Sequence, residues 1–247
     1  MANWLQGRVV ENRRLNDYLT ALIIDVGLGG YEAGQFVRIG LPDGDDVLAR
    51  PYSLVNAPEE DYLYVYFNIV EEGPLSPKLF ALQAGDEILV SDRPSGFLTV
   101  SEVPAAANLW MIATGTGIGP FLAILKSDAV WQKFDKVMLC YSVSYGEELA
   151  YQDMIARIKQ QHGERFCFVP IVTREKFAAG LGHRVPTLMQ DGSLERVAGV
   201  EINADNSQVM MCGSSEMIAD VSEALLARGM KKHRRRDPGH YTTEKYH

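Results

Sequence analysis

From residue 4 to about residue 100, short runs of apolar and β-branched residues alternate with clusters of turn-forming residues. The runs QFVRIGL, VLARPYSLVN and EILVS are separated by PDGDD, APEED and QAGDE. Short strands with regular turn signals are typical of antiparallel barrels. A further run of large β-formers, YLYVYF, and a short helical stretch, SPKLFAL, fit the same architecture. We therefore predict a closed antiparallel barrel in this part of the chain.

After Pro104 the pattern changes to apolar strands, each followed by a segment of helical periodicity. The strands LWMIAT, KVMLCYS, FCFVPIV and QVMMC alternate with stretches such as PFLAILK, AYQDMIARIKQ and SEMIADVSEALLARG. This alternation predicts a parallel sheet with helices on both faces. The last helix is expected to be capped by Ser214 or Ser215 and to end at Gly229. The change of pattern predicts a domain boundary near 100–107, with domains over 1–102 and 103–247.

Composition narrows the functional classes. No apolar run approaches the roughly 20 residues of a membrane helix, and the first 15 residues lack the apolar stretch of a signal peptide, so we expect a cytoplasmic protein that does not associate with membranes. The net charge of −8 argues against general binding of nucleic acid. Three scattered cysteines, at positions 140, 167 and 212, predict no disulfide and no iron–sulfur cluster. Any one-electron partner is therefore expected to be a separate molecule.

The segment TGTGIGP at 114–120 follows an apolar strand and opens a helix. Glycines at such a turn let backbone N–H groups approach a pyrophosphate at the helix N-terminus. Pro120 departs from the strict G-x-G-x-x-G pattern, and an ordinary tight turn has the same composition. The segment alone therefore leaves both interpretations open.

Two segments of the predicted barrel carry candidate ligand groups. RPYS at 50–53 offers a guanidinium for a diphosphate, a ring for stacking and a hydroxyl for a ring nitrogen, although each side chain also has an ordinary structural role. GPLS at 73–76 precedes the short helix. There Ser76 is expected to cap the helix, and the functional alternative is that backbone N–H groups bind a second phosphate.

Four segments taken together resemble the ferredoxin/flavodoxin–NADP reductase family: RPYSLVNAP at 50–58, GPLSPKL at 73–79, ATGTGIGPFLAIL at 113–125 and MCGSSEMIADV at 211–221. They occur in order and at the family's spacing over nearly the whole chain, and HYTTEKY at 240–246 is similar to the bacterial branch. The resemblance implies a six-stranded FAD-binding barrel over 1–102. It also implies an NADP-binding α/β domain over 103–247, with a C-terminal tail that returns to the flavin.

The resemblance also implies FAD contacts. Arg50 would bind the diphosphate, Tyr52 would pack on the isoalloxazine and Ser53 would approach its N5 edge. Tyr52 and Ser53 are thereby implied to be catalytic, as is Cys212, which matches a family segment beside the nicotinamide. The other implied FAD contacts are Pro51, Tyr66, Pro74, Leu75, Ser76, Thr116, Tyr246 and His247, the last of which departs from the family's usual bulky final residue.

For NADP, Arg174 and Arg184 fall at positions that resemble the family's phosphate-binding arginines, and a forked guanidinium suits that task. Ser144 stands where close bacterial relatives often carry another arginine, so we expect a weaker preference for NADPH over NADH. The remaining implied NADP contacts are Val143, Ser214, Ser215, Glu216 and Asp220.

The resemblance thus implies a monomeric FAD enzyme that passes electrons between NADPH and a ferredoxin or flavodoxin, by hydride transfer to flavin N5 and then single-electron transfer. The basic run at 231–236 is interpreted either as a solvated stretch or as a surface that attracts the acidic carrier. Two alternatives stay open. One is an NADH-linked reductase for an oxygenase or free flavin, which Ser144 favours; the other is a non-enzymatic flavin-binding module.

Overall fold

The computed structural model describes residues 3–245, and its N-terminal part is an antiparallel sheet of six strands. These are β1 (Trp4–Arg14), β2 (Leu19–Asp25), β3 (Phe36–Asp43), β4 (Asp46–Ser53), β5 (Leu63–Asn68) and β6 (Glu87–Ser91). Their order is β4-β3-β6-β1-β2-β5. A bridge between Leu54 and Val65, and a 2.9 Å hydrogen bond from the Val55 N–H to the Tyr64 carbonyl, join the two outer strands. The sheet therefore closes into the predicted barrel.

Inward-facing apolar residues of all six strands fill this barrel. The short helix α1 (Ser76–Ala81) covers it with Leu79, which is fully buried. This is the helix that the SPKLFAL segment predicts.

The C-terminal part is a parallel sheet in the order β11-β10-β7-β8-β9. Its strands are β7 (Asn108–Thr114), β8 (Lys136–Val143), β9 (Phe166–Val172), β10 (Ser207–Gly213) and β11 (Tyr241–Lys245). The first four are the predicted apolar strands. The fifth, β11, extends the sheet beside β10 and carries the tail segment whose return to the barrel the family resemblance implies.

Helices cover both faces of this sheet. One face packs against α2 (Ile118–Lys126), α3 (Asp128–Lys133) and α4 (Gln152–His162), and the other against α5 (Val185–Gln190), α6 (Ser193–Ala198) and α7 (Ser215–Ala227). Alternate residues of β7 divide between the two apolar clusters, with Met111 in one and Trp110 in the other. None of the helices within residues 3–245 combines the length and the apolar character that a membrane span requires.

The last helix, α7, confirms the capping prediction. The Ser214 hydroxyl accepts a 3.2 Å hydrogen bond from the Met217 N–H, and Gly229 follows the helix with a φ of 75°. Four apolar residues at helical spacing form its buried face: Met217, Ile218, Val221 and Leu225.

Residues 92–107 connect the two sheets, and α3 holds this connection in place. The Lys133 ammonium donates a 2.7 Å hydrogen bond to the Val100 carbonyl and another to the Val103 carbonyl. Burial lowers the pKa of Lys133. The boundary between residues 102 and 103 falls within this connection and stays a prediction.

Candidate functional site

A cleft of about 720 Å³ lies where the carboxyl ends of the parallel strands meet the barrel. Thr114, Val143 and Thr173 line it at strand ends, and Tyr18 and Tyr66 line it from the barrel. Ligands of open α/β sheets bind at this edge, because the loops after the strands converge there. The two domains therefore build one site between them.

Most of the residues that the sequence assigns to NADP come together in the wall of this cleft. Seven of the eight line it: Val143, Ser144, Arg174, Arg184, Ser214, Glu216 and Asp220. Ser215, the exposed first residue of α7, does not. Tyr66 and Thr116, which the sequence assigns to FAD, line the same cleft. The individual contacts stay predictions.

The glycine turn forms one wall. Gly115–Gly117 is a 3₁₀ turn directly before α2, and Gly115 has a φ of 51° with no atom within 4 Å of the place where a Cβ would stand. On the other side, a Cβ on Gly119 would lie 3.4 Å from Val55 Cγ2. The turn therefore opens its backbone to the cleft while it brings α2 against the chain that follows the RPYS strand.

The ends of β7 and β10 are locked together below this turn. The Ser214 N–H donates a 2.9 Å hydrogen bond to Thr114 Oγ1, and a Cβ on Gly213, where φ is 149°, would lie 2.0 Å from the same oxygen. Cys212 is fully buried in the apolar cluster beneath α2 and is not part of the cleft wall. Its implied role beside the nicotinamide stays a prediction that this burial does not favour.

Two arginines and a histidine, Arg174, Arg184 and His183, line the cleft, and all three are exposed. Arg184 Nη1 lies 2.5 Å from Glu216 Oε1, so its charge already has a partner. Ser144, which stands in place of an arginine, is half-buried beside them. The sequence analysis did not single out His183, because an isolated histidine in a polar loop has no spacing signal.

Glu148 joins the barrel to the loop that carries Ser144. Its carboxylate accepts hydrogen bonds from the Ser144 N–H (2.7 Å), the Tyr145 N–H (2.9 Å) and the Tyr18 hydroxyl (2.8 Å). Burial, together with the bond to Glu148, raises the pKa of Tyr18 to about 12. No local sequence signal marks Glu148, since its three partners meet only in the folded chain.

The RPYS strand lies behind the glycine turn. The Arg50 guanidinium is exposed and donates a 2.9 Å hydrogen bond to the Ala49 carbonyl, and Pro51 is exposed beside it. The Tyr52 ring is half-buried, with its centroid 5.3 Å from that of Phe67 in an edge-on contact. Burial raises the pKa of Tyr52 to about 12, so its hydroxyl stays protonated at neutral pH.

Ser53 meets a residue that the sequence analysis missed. Its hydroxyl lies 3.1 Å from the Glu244 carboxyl oxygen Oε1, so β11 contacts the RPYS strand directly. Burial raises the pKa of Glu244 to about 7, although the bond with Ser53 acts in the opposite direction. A single glutamate in a short strand has no sequence signal, and only the meeting of two distant segments reveals it.

At GPLS the capping prediction is wrong. Leu75 is the N-cap of α1 and has no side-chain cap bond, while Ser76 is already the first helical residue. The Ser76 hydroxyl instead accepts a 2.9 Å hydrogen bond from the Val70 N–H and lies 3.4 Å from the Val70 carbonyl. It therefore closes the preceding loop, with Leu75 buried and Pro74 exposed.

A second cavity, of about 890 Å³, lies between the barrel and β11. Phe36, Phe97 and Leu98 give it apolar walls, and Glu244 lines it from β11. It therefore reaches the same carboxyl group that contacts Ser53.

The basic run borders this second cavity, and most of its charges have partners. Arg235 pairs with Glu102 (2.8 and 2.5 Å) and lies over the Phe97 ring at 4.3 Å. Lys231 pairs with Asp237, and Lys232 donates to Thr243 Oγ1 at 2.9 Å. Within residues 3–245, no salt bridge forms to the exposed guanidinium groups of the other two arginines, Arg234 and Arg236.

These residues fit the two groups that the family resemblance implies. The Tyr52 ring suits the face of a flavin, and the Arg50 guanidinium suits its diphosphate. The Ser53 hydroxyl, which is hydrogen-bonded to a carboxyl group of near-neutral pKa, suits the N5 edge. The open backbone of the glycine turn suits a phosphorylated nucleotide, as does the part of the cleft that carries Arg174 and Arg184, called here the cationic end. Tyr246 and His247, also predicted to contact FAD, lie outside the described residues.

Comparison with known proteins agrees with this geometry. Residues 111–223 match the model of the oxidoreductase NAD-binding domain. The chain is 36% identical over 247 residues to a flavodoxin/ferredoxin–NADP reductase of Escherichia coli K12 and 34% identical over 248 residues to one of Buchnera aphidicola, each alignment covering 100% of both chains. A ferredoxin NADP⁺ reductase of Neisseria gonorrhoeae, crystallised with bound FAD and NADP, superposes with a TM-score of 0.94 at 33% identity over 99% of both chains.

The barrel, the parallel sheet, the shared cleft and the full-length identity thus agree. The chain belongs to the flavodoxin/ferredoxin–NADP reductase family.

Proposed function

We propose that this chain transfers electrons between NADPH and a small acidic one-electron carrier, ferredoxin or flavodoxin, through bound FAD. The observation that carries the proposal is the shared cleft, which is lined by Tyr66 of the barrel, by the glycine turn and by the two arginines that follow β9. When bound, the flavin supplies the exchange between hydride chemistry and one-electron transfer. The chain's own residues bind, orient and shield it.

The RPYS strand and the loop before α1 would hold the flavin. Arg50 would pair with the diphosphate through its exposed guanidinium, and the Tyr52 ring would pack on the isoalloxazine. The other contacts proposed for FAD are Pro51, Ser53, Tyr66, Pro74, Leu75, Ser76 and Thr116.

Ser53 and Glu244 would serve the N5 edge of the ring. A carboxyl group with a pKa near 7 carries a proton for about half the time at neutral pH, so Glu244 can either donate to or accept from the Ser53 hydroxyl. The hydroxyl can then keep a hydrogen bond to N5 in either protonation state of the ring nitrogen.

The cleft would bind NADP at its cationic end. Arg174 and Arg184 would contact the 2′-phosphate, and Ser144 would contribute a hydroxyl. The other residues proposed to contact NADP are Val143, Ser214, Ser215, Glu216 and Asp220. Glu148 would keep the Ser144 loop in position through its bonds to two backbone N–H groups and to Tyr18.

The electron carrier would dock over the second cavity. Arg234 and Arg236 supply exposed positive charge, and Phe97, which is 63% exposed, supplies an apolar contact beside them. Complementary charge raises the rate of encounter with an acidic protein, and an aromatic anchor favours a defined orientation.

Anaerobic stopped-flow reduction tests the proposal. The flavin-loaded protein is mixed with NADPH or NADH while flavin absorbance is followed. We expect bleaching at much lower concentrations of NADPH, and Arg174→Ala should lower kcat/KM for NADPH by about tenfold or more while leaving that for NADH nearly unchanged. Lack of bleaching with either coenzyme would contradict the proposal and favour a non-enzymatic flavin-binding module.

A second candidate is an NADH-linked reductase of the same fold. Two observations favour it: Ser144 provides no charge, and Arg184 is already paired with Glu216. Equal bleaching by the two coenzymes, unchanged by Arg174→Ala, would support this candidate.

A further inference from the structure

The cationic end of the cleft has less positive charge available for a phosphate than its two arginines suggest. Arg184 is paired with Glu216 at 2.5 Å, and the position expected to hold another arginine is Ser144. Arg174 is exposed and is held near Ser144 by a 2.9 Å hydrogen bond from its N–H to the Ser144 carbonyl. A phosphate monoester near pH 7 carries between one and two negative charges, so one unpaired guanidinium leaves it under-compensated.

His183 lies in the same wall and is held there by the fold. Two backbone hydrogen bonds of 2.9 Å, between Leu181 and residues Pro170 and Val172, fix the returning loop against β9. His183 follows that anchor by two residues, and Arg174 follows the end of β9 by two residues. Both exposed side chains therefore line the same end of the cleft.

Charged side chains surround His183. Arg184 is its neighbour in sequence and is itself paired with Glu216 of α7. Asp191, at the end of α5, has a pKa lowered chiefly by hydrogen bonds from Ser193, and the charge of His183 adds to that effect. Arg174 is the other arginine that lines the cleft, and a bound dianion would be attracted to its guanidinium.

We infer that His183 is a further specificity-determining residue, which contacts the 2′-phosphate of the coenzyme and adds a hydrogen-bond donor where Ser144 provides no charge. The inference rests on the proposed function, because it concerns a 2′-phosphorylated nucleotide. An imidazole N–H beside Arg174 can donate a charge-assisted hydrogen bond to a phosphate oxygen, which NADH does not offer.

Calorimetric titration of the flavin-loaded protein tests this without any turnover. The probes are adenosine 2′,5′-bisphosphate and 5′-AMP, which differ only in the 2′-phosphate. We expect His183→Ala to weaken binding of the bisphosphate by about fivefold and to leave 5′-AMP unchanged, whereas His183→Arg should retain or improve bisphosphate binding. Thr187→Ala is the matched control, because Thr187 is an uncharged, exposed residue of the same wall.

A double-mutant cycle sharpens the test. If the His183 contact makes up for the absence of a charge at Ser144, the loss caused by His183→Ala should be smaller in a Ser144→Arg background than in the natural chain. Unchanged bisphosphate binding by His183→Ala, in a protein that still prefers the bisphosphate to 5′-AMP, would overturn the inference and leave the proposed function standing. Equal affinity of the unmodified protein for both probes would instead overturn the NADP assignment, and this inference with it.

Discussion

The two cavities beside the RPYS strand differ in what they can recognise. The cleft at the strand ends is lined by backbone turns, hydroxyls and charged side chains, whereas the cavity beside β11 has apolar walls and a basic border. Polar groups fixed at strand ends suit a small nucleotide, because each phosphate or ribose oxygen needs its own partner. An apolar surface bordered by charge suits another protein, because apolar contact area and complementary charge contribute to binding without a separate partner for every polar atom.

Two cavities of different character would let one chain keep its exchange of electrons with a nucleotide apart from its exchange with a protein. The Ser53–Glu244 hydrogen bond joins the RPYS strand, which lies behind the cleft, to the wall of the second cavity. A substitution in one cavity should therefore leave binding at the other cavity unchanged.

The greatest loss is expected from Gly213→Ala, at the end of β10 beside the cleft. The new methyl group would lie 2.0 Å from Thr114 Oγ1 at a φ of 149°. We expect a loss of about 4 kcal/mol in the free energy of unfolding, measured by urea titration, from steric overlap and unfavourable backbone conformation together.

The control is Gly229→Ala, where φ is 75° and no atom lies within 4 Å of the added methyl group. It should cost only about 1 kcal/mol. Equal losses in the two variants would show that Gly213 and Thr114 are not packed as closely as the geometry indicates.

The next effect concerns the connection between the two cavities. A raised pKa means that the folded flavin-free protein keeps a proton on Glu244 that the unfolded chain releases above pH 4.5. Below pH 4.5 the raised pKa of Glu244 adds roughly 3 kcal/mol to the free energy of unfolding, and this contribution should be lost as the pH rises to about 7. Glu244→Gln cannot titrate and should flatten that part of the pH profile of unfolding, whereas the exposed Glu72→Gln should not. A profile that stays the same in Glu244→Gln would mean that this carboxyl is not buried as described.

The smallest effect tests the second cavity alone. The double change Arg234→Gln and Arg236→Gln should slow electron transfer to an acidic carrier by about fivefold at low ionic strength and leave reduction of a small dye unchanged. The loss should disappear in high salt. Arg8→Gln removes an exposed charge elsewhere, one paired with Glu87 at 3.6 Å, and serves as the control. Equal losses with carrier and dye would contradict docking at this surface.

The sequence predicts the two sheets because their periodicities are strong and local. It misses α3, α5 and α6, each of which has only six residues and therefore less than two helical turns of periodicity; α1 is equally short and is predicted from the SPKLFAL segment. It misplaces the role of Ser76 because a serine one position inside a helix has the same local composition as a cap.

The candidate site divides in the same way. Residues carried by family motifs, such as Arg174 and Ser214, gather in the cleft as expected. Glu148, His183 and Glu244 could not be foreseen, because their significance arises from partners that are distant in the chain or from a charge missing elsewhere.

The pairing of Ser53 with Glu244 also has a consequence for biosynthesis. The two residues are 191 positions apart, and at typical ribosomal rates that interval takes roughly 10 to 40 s. A β-hairpin forms within microseconds, so strands of the barrel can pair long before Glu244 has been synthesised. The speed of translation thus sets how long the Ser53 hydroxyl remains without its carboxyl partner.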